Sequence, residues 1–563
     1  MQWVVDEQPD REQLKDLIDG LGASRIVATI LFRRGYKTAE AAKRFFEPDW
    51  DELFDPFLMK DMDKAVDRII RAIREKERIF IYGDYDVDGI TSVSLLYLFF
   101  KKLGGDAHFY IPNRLKEGYG LSTLGIQKAS AVEAKLLVSV DCGITGIQEV
   151  KLARTLGMDV IVCDHHEPGN ELPEAYAILD PKRKDCEYPF EELAGVGVAF
   201  KLIQAVSQVL ELGDEVYREY VDLVALGSAA DIVPLVQENR LLVRKGLEKL
   251  NRLDRLGIRA LVESSGMMGK KIGTGQIVFI LAPRINAVGR LGNAERAVRL
   301  LIADQESQAR EIAMILESEN RQRKNIDEET FQQAMELVKT EFDSENDRAV
   351  VLAREGWHAG VIGIVASRIA EEVGRPTVML TVEDGFGKGS ARSISNFDIF
   401  SALRRCDQYL LAYGGHRFAA GLTIQLESIP AFKKAFKEVA AEMLQDQDLD
   451  QKLCVDTEIS LLEINDRAIA FLNLFAPFGP QNMRPVFLSC NLQVVGSPRV
   501  VGKNHLKFKV RQGGEIFDAI GFDLGDLQYR LCPGESNLDM VFVIEENNWN
   551  GQNKIQLRVK DLR

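Results

Sequence analysis

A chain of 563 residues exceeds what one hydrophobic core organises, and ordinary domain sizes divide it into about three or four. Its 46% hydrophobic and 28% charged residues exclude a mainly disordered chain. A net charge of −14 argues against a loose coat along nucleic acid; it suits a narrow groove rich in carboxylates, where local patches and bound cations set the field.

Residues 1–10 carry acids and no apolar core, so no secretory leader is expected there. Residues 1–50 read as a helical segment expected to pack on the first lobe. From 78 to 235 short apolar runs alternate with amphipathic stretches. The runs are residues 79–82, 136–140, 160–163 and the longer 221–226; the stretches include 91–103 and 144–156. This rhythm predicts an α/β lobe over residues 51–260, built on a mostly parallel sheet with crossover helices. The longest apolar run, residues 89–100, falls short of the ~18 residues of a membrane span, so no membrane is expected as a partner. Residues 261–345 are expected to hold an interlobe loop and a long connecting helix, because 303–344 contain neither Gly nor Pro. A second α/β lobe follows over 346–444, with strands near 349–353 and 377–382 around a helix near 361–373. Residues 445–451 form a polar linker. Residues 453–563 read as short strands with turn signals at Gly513-Gly514 and Asn550-Gly551, which predicts a small β-barrel. Seven cysteines, an odd number without a CxxC pair, are expected as reduced thiols of a cytoplasmic protein. Cys142 and Cys163 each adjoin a motif acid, yet buried thiols are expected there rather than ligands.

The acids fall at the ends of the apolar runs. Residues 79–82 lead into Gly83-Asp84-Tyr85-Asp86-Val87-Asp88-Gly89, 136–140 into Asp141-Cys142-Gly143, 160–163 into Asp164-His165-His166, and 221–230 into Asp231. In a parallel sheet the C-terminal strand ends share one edge, where α/β proteins place their ligands. Four segments therefore deliver carboxylates and imidazoles to one crevice. Such carboxylates repel and keep protons unless cations sit between them. Oxygen ligands with one or two imidazoles suit Mg²⁺ or Mn²⁺, and a pair of ions activates water and stabilises the leaving oxygen of a phosphoryl transfer. A calcium EF-hand over 84–95 is rejected, since its twelfth position is Leu95 rather than Glu. Taken singly, Asp141 or Asp231 would be an ordinary helix cap.

In this ordered set, DYDVDG, DCG, DHH and ADIVPL, the chain resembles the DHH phosphoesterase superfamily. The resemblance implies that Asp86 and Asp141 bind one ion, with Asp84 beside them, and that Asp88, Asp141, His165 and Asp231 bind the other. Asp141 then bridges both. His166 is implied to contact the scissile phosphate, with Asp164 orienting the histidines. The second lobe resembles the DHH-associated substrate domain through Tyr413-Gly414-Gly415-His416-Arg417-Phe418-Ala419-Ala420-Gly421. There Gly414 and Gly415 let backbone and the His416 imidazole approach a phosphate; read alone, the stretch is equally a tight glycine turn. Trp357-His358-Ala359-Gly360 leads into a helix whose N-terminus suits an anion, or is a plain strand–helix junction.

Three features resemble the RecJ branch of that superfamily. Position 82, where the pyrophosphatase branch carries His, is Tyr. Arg284-Ile285-Asn286-Ala287-Val288-Gly289-Arg290, in a stretch expected as an interlobe loop, resembles a RecJ signature; Arg284, Asn286 and Arg290 suit phosphate contacts, or the loop is only structural. The β-rich tail resembles RecJ's OB-like domain. In it Lys507, Lys509 and Arg511 share one strand face, a DNA-tracking surface or else a solvated edge strand. The resemblance implies a 5′→3′ exonuclease that releases mononucleotides from single-stranded DNA in recombination and repair. It also implies Ser390, Arg392 and Arg114 as a 5′-phosphate pocket, where the residues alone read equally as a solvated loop, and a single-strand-binding protein and a helicase as partners. The alternatives are a phosphodiesterase for short RNA or signalling dinucleotides, and a catalytically inactive scaffold that binds single-stranded DNA.

Overall fold

The computed structural model describes residues 2–5, 7–449, 452–535, 537–549 and 552–563. The chain divides into two compact units. One comprises Phe54–Val233 and Leu242–Gln451; the other comprises Met1–Leu53, Pro234–Leu241 and Lys452–Arg563.

The larger unit opens with a five-stranded, wholly parallel sheet. Its spatial order is Asp106–Tyr110, Arg78–Gly83, Leu136–Val140, Asp159–Cys163 and Ala177–Leu179. The three central strands are almost wholly buried, which is why they read as unbroken apolar runs rather than alternating ones. After Arg78–Gly83 the chain goes first to the edge strand Asp106–Tyr110 and then returns to Leu136–Val140 on the other side. The order reverses between these two central strands, and a crevice opens at their C-terminal ends. Helix Val87–Lys102 starts directly behind the first acidic loop, with Asp86 as its N-cap.

The segment 221–230, expected as a fourth apolar strand, is corrected: Val221–Ala230 is an α-helix and Asp231 its C-cap. Nine of its residues are buried, Asp222 among them in a pair with Arg255, so no solvent-facing side gives it a helical period. The signature at 284–290, expected in a loop, lies instead within helix Ala282–Leu291, which continues from a π-helical turn at Ile277–Leu281. The connecting helix is one element, Glu306–Glu341, about 54 Å long at ~1.5 Å per residue. The second lobe is a mixed sheet ordered Leu410–Gly415, Ala419–Gln425, Phe386–Arg392, Thr377–Glu383 and Val350–Glu355, with helix Ile362–Val373 against one face. The linker region forms a short helix, Asp446–Leu449.

The smaller unit is a closed barrel. Strands Phe487–Val501, His505–Gln512, Glu515–Gly521, Gln552–Leu562 and Leu538–Trp549 pair in that order, and the first also pairs with the last. The expected turn at Asn550-Gly551 lies outside the described residues. The expectation that residues 1–50 pack on the first lobe is corrected. Three helices, Lys15–Leu21, Arg25–Arg33 and Ala39–Phe46, bury Leu17, Val27, Ile30, Leu31 and Phe46 in one core with barrel residues Phe508, Val510, Phe542 and Leu557. Strand Gln2–Val5 pairs in parallel with Lys452–Val455.

Candidate active site

The three strand-end motifs and Asp231 meet at the crevice. Ligand atoms of Asp84, Asp86 and Asp141 lie within 4.8 Å of one another, as do those of Asp88, His165 and Asp231. His165 Nε2 is 3.0 Å from Asp141 Oδ1, 3.7 Å from Asp88 Oδ2 and 3.8 Å from Asp231 Oδ2. Asp141 thus stands between the two groups. Its backbone is left-handed, with φ of 58°, a conformation L-residues avoid at a cost of about 1–3 kcal/mol. Ile232, directly after Asp231, is also left-handed at φ 61°. A β-branched residue in that region is a genuine outlier.

Backbone amides hold the carboxylates in place. Asp86 Oδ1 accepts from the amides of Asp88 (2.9 Å) and Gly89 (3.1 Å). Asp88 accepts from Gly195 N (2.6 Å) and Val196 N (2.8 Å) at the start of helix Gly195–Val209, and keeps lone pairs in reserve. Gly195 must be glycine, because a Cβ there would lie 2.8 Å from Asp141 Cβ. Asp164 is a buried junction: Oδ1 accepts from His165 N, His166 N and His166 Nδ1 (2.7 Å), and Oδ2 accepts from Ile144 N.

The charges conflict. Burial, then the neighbouring acids, raises the carboxyls of Asp84, Asp141 and Asp231 well above the usual range, and that of Asp88 to about 7. Asp84 Oδ1 is buried with no hydrogen-bond partner. Burial, then the charge of His166, lowers His165 to about 3, so its imidazole is neutral and fit to ligate. Burial would also lower His166, but the hydrogen bond and charge of Asp164 outweigh it and raise the imidazolium. A carboxylate-rich set with one neutral imidazole fits two hard divalent cations of the Mg²⁺ or Mn²⁺ kind. The thiols of Cys142 and Cys163 are pushed up by burial and stay protonated, as structural cysteines do. Tyr82 is wholly buried and donates to Gly120 O, away from the ligand set.

A cluster of arginines adjoins the crevice. Arg114 stacks over the Tyr85 ring at 5.0 Å, and its charge bears on Asp84. Arg392 Nη1 donates to Ser390 Oγ (2.9 Å) on the same strand face. Both approach the first turn of helix Ile362–Val373 closely enough that a Cβ at Gly363 would meet Arg392 Nη2 and Ser390 Oγ. Arg290 donates to Gly360 O (3.0 Å). Burial, then Arg114, Arg323 and Arg392, brings its pKa down to about 10; burial, then Arg114, does the same to Arg392. Arg323, on the connecting helix, bonds Asn320 and lies 3.6 Å from Asp327, but its buried Nε has no partner among the described residues. Guanidiniums crowded in this way repel one another, a conflict that a bound anion would relieve.

The other expected contacts are placed as follows. Arg284 is corrected: it is buried, pairs with Glu317 (2.7 Å) and donates to Ile280 O, so it ties the signature helix to the connecting helix. Asn286 keeps a buried Oδ1 without a partner. His358 Nδ1 accepts from Gly360 N and its carbonyl starts the next helix, so this ring is committed to capping. His416 is exposed, with burial and then the charge of His166 lowering it, which sets it across from the DHH triplet. Gly414 is open and Gly415 has φ of 138°. Two neighbours escaped the sequence reading. The Tyr119 hydroxyl lies 3.1 Å from both His166 ring nitrogens, on a loop between Gly118 and Gly120. Lys182 bears on Asp231 and His416. Glycines on both sides of an aromatic were the one signal available for the first; nothing marked the second.

In the smaller unit, Lys507, Lys509 and Arg511 face outward while Leu506, Phe508 and Val510 fill the barrel. The edge-strand reading is corrected, because His505–Gln512 is paired along both sides.

Family profiles match three segments: DHH family, N-terminal domain over residues 78–228, DHHA1 domain over 346–442 and RecJ OB domain over 455–561. The chain is 40% identical over 565 residues to the single-stranded-DNA-specific exonuclease RecJ of Bacillus subtilis (strain 168), covering 100% of this chain and 70% of that one. It is 34% identical over 552 residues to that of Escherichia coli (strain K12), covering 94% of each. Among solved structures it is similar to RecJ from Thermus thermophilus in complex with Mn²⁺, with a TM-score of 0.85 at 30% identity over 100% of this chain and 79% of that one.

Proposed function

Because this chain belongs to the RecJ family, we propose that the crevice and the arginine cluster act as one 5′→3′ device. The protein is a single-stranded-DNA-specific exonuclease and a metal-dependent enzyme of the DHH family, with Mn²⁺ or Mg²⁺ as its cofactor. The observation that carries the reading is the pairing of opposites: crowded acids and a neutral imidazole beside buried arginines without enough carboxylates.

Asp84, Asp86 and Asp141 would hold one ion, and Asp88, Asp141, His165 and Asp231 the other. So held, two such ions would supply Lewis-acid chemistry for phosphodiester hydrolysis: water activation and charge stabilisation at the phosphate. Asp164 keeps His166 protonated and aimed by holding Nδ1, and Nε2, which stands 3.1 Å from the Tyr119 hydroxyl, would turn its proton to a phosphate oxygen. His416 approaches the same phosphate from the second lobe. Arg114, Ser390 and Arg392, joined by Arg290, take the 5′-phosphate through charge-assisted hydrogen bonds. The strand therefore ends where the cluster lies, and the bond next to that end is the one presented to the acids. In the barrel, Lys507, Lys509 and Arg511 follow the strand's backbone. No described helix is long and apolar enough to cross a membrane. We place the enzyme in the cytoplasm, which its seven free cysteines fit, acting in recombination and repair on strands handed over by a single-strand-binding protein or a helicase.

Release of mononucleotides from end-labelled single-stranded DNA tests this, with Mn²⁺, Mg²⁺ or a chelator. A 5′-phosphorylated strand should shorten from its 5′ end, and the chelator should stop it. Hydrolysis of dinucleotides alone would make the protein a signalling phosphodiesterase. Binding without cleavage under every metal would make it a scaffold.

A further inference from the structure

Phe279 is 78% exposed, on the π-helical turn Ile277–Leu281 that leads into the signature helix. π-helical turns concentrate at functional sites. The wider turn changes the phase of the helix that follows it. Phe279, Pro283, Asn286 and Arg290 are then spaced by four, three and four residues, the spacing of one helix face. Phe279 is exposed and Pro283, Asn286 and Arg290 are half-buried, whereas their neighbours Ala282, Arg284, Ile285, Ala287, Val288 and Gly289 are buried. The stripe therefore begins at an open aromatic ring and ends at a guanidinium in the arginine cluster.

We propose that this stripe is a track for single-stranded DNA and that Phe279 is its stacking platform for a nucleobase. The inference rests on the exonuclease reading and adds a subsite to it. A strand anchored by its 5′-phosphate at the cluster runs down the stripe, with the Phe279 ring under a base. Aromatic rings take any base by its π-face, so the subsite strengthens grip without adding sequence preference. Phe279 and Arg290 are about 16 Å apart along the helix axis at ~1.5 Å per residue. At the ~3.4 Å of a stacked strand that distance holds roughly five nucleotides, and fewer if the strand is stretched.

The test scans 2-aminopurine through the first eight positions of a 5′-phosphorylated strand whose first linkages are phosphorothioates. The full-length enzyme carries wild-type, Phe279→Ala or Phe279→Trp sequence. Fluorescence should change on binding at one position within the first five or so. That signal should vanish in Phe279→Ala and persist in Phe279→Trp. KM for long strands should rise at least about fivefold in Phe279→Ala, the lower end for losing one stacked base, with kcat little changed. Strands too short to reach the ring should be cut equally by both enzymes. Identical fluorescence profiles in wild type and Phe279→Ala would overturn the inference. So would a Phe279→Ala enzyme whose sedimentation shows a lost dimer while DNA binding holds, since the ring would then serve a second copy. If the wild type itself releases no mononucleotide, the exonuclease reading has failed instead.

Discussion

The acidic crevice and the arginine cluster are electrostatic mirror images inside one unit. In the first, burial and mutual repulsion push Asp84, Asp141 and Asp231 towards protonation. In the second, burial and mutual repulsion pull Arg290 and Arg392 down from the ordinary guanidinium range. Neither arrangement helps the fold, because buried like charges cost several kcal/mol each unless something compensates them. The difference lies in how they are built. The acids sit at strand ends and are held by amides at helix starts, such as Gly195 N and Val196 N on Asp88. The arginines come from four unrelated elements, around residues 114, 290, 323 and 392, and have mixed partners: the Tyr85 ring, backbone carbonyls, Ser390, Asn320 and, for Arg323, Asp327 at 3.6 Å. A metal ligand set needs distances set to tenths of an ångström, whereas a phosphate clamp tolerates long, adaptable side chains.

The largest expected effect comes from breaking the acidic half at its shared member. Asp141→Ala should lower turnover by at least about 10²- to 10³-fold, the scale for removing one preorganised contact to the transition state. Circular dichroism should still show a folded protein, since a repulsive charge has been removed. In calorimetric titration with Mn²⁺ the variant should lose tight binding of two ions. If both ions bind tightly to folded Asp141→Ala, Asp141 is no bridge. The same contrast predicts that Mn²⁺ raises the wild-type melting temperature and a chelator reverses the rise, because an ion that binds only the folded state at a hundredfold excess over Kd contributes about 2.7 kcal/mol.

Breaking the cationic half should cost less and change selectivity rather than chemistry. Losing hydrogen bonds to a charged group costs about 1.5–3 kcal/mol, so Arg392→Ala should reduce the preference for a 5′-phosphate over a 5′-hydroxyl by about tenfold to a hundredfold. Cleavage of the 5′-hydroxyl substrate should hardly change. Arg290→Met should show the other side of the same conflict, with lost preference but a melting temperature that holds or rises as one buried charge leaves the cluster. An unchanged discrimination ratio in both variants would move the 5′-phosphate elsewhere.

The two halves also differ in how legible they were. Asp84, Asp86, Asp88, Asp141, His165 and Asp231 announced themselves, because strand, turn and acid follow one another within a few residues. Even so, Asp231 was assigned to a strand end, since a helix buried on all sides has no period to read. Arg323 left no trace: a polar stripe of Glu317, Asn320, Arg323 and Asp327 on a long helix looks solvated until the structure shows it buried. Arg284 and Arg290 look alike in the sequence, yet one is paired with Glu317 and the other faces its fellow cations. Partner identity decides that, and partners thirty or more residues away cannot be read from spacing. The N-terminal helices were legible as helices but not as part of the barrel's core, for the same reason.

The smallest effect is expected farthest along the chain from the acids, on the barrel. Deleting residues 453–563 would be a poor test, because the N-terminal helices share that core and would be left with Leu17, Val27 and Phe46 uncovered. Replacing Lys507, Lys509 and Arg511 together with Gln avoids this: their side chains point outward, and the strand's hold on its neighbours comes from Leu506, Phe508, Val510 and the ladders on both sides. Lys509 has only a loose partner, Asp518 at 4.0 Å, so little internal pairing is lost. Each phosphate contact on a single strand contributes about 0.7 to the slope of log affinity against log salt, so losing three should flatten it by roughly 2. At low salt the triple variant should bind a long strand more weakly than wild type, and at high salt the two should converge. Cleavage of very short oligonucleotides should be unaltered, because it depends on the acids and the arginine cluster alone. Affinity measured across salt with a phosphorothioate strand gives both slopes. Parallel lines would mean that this face never meets phosphate, and that the alternation of Lys and Arg with buried residues does no more than keep a barrel wall wet.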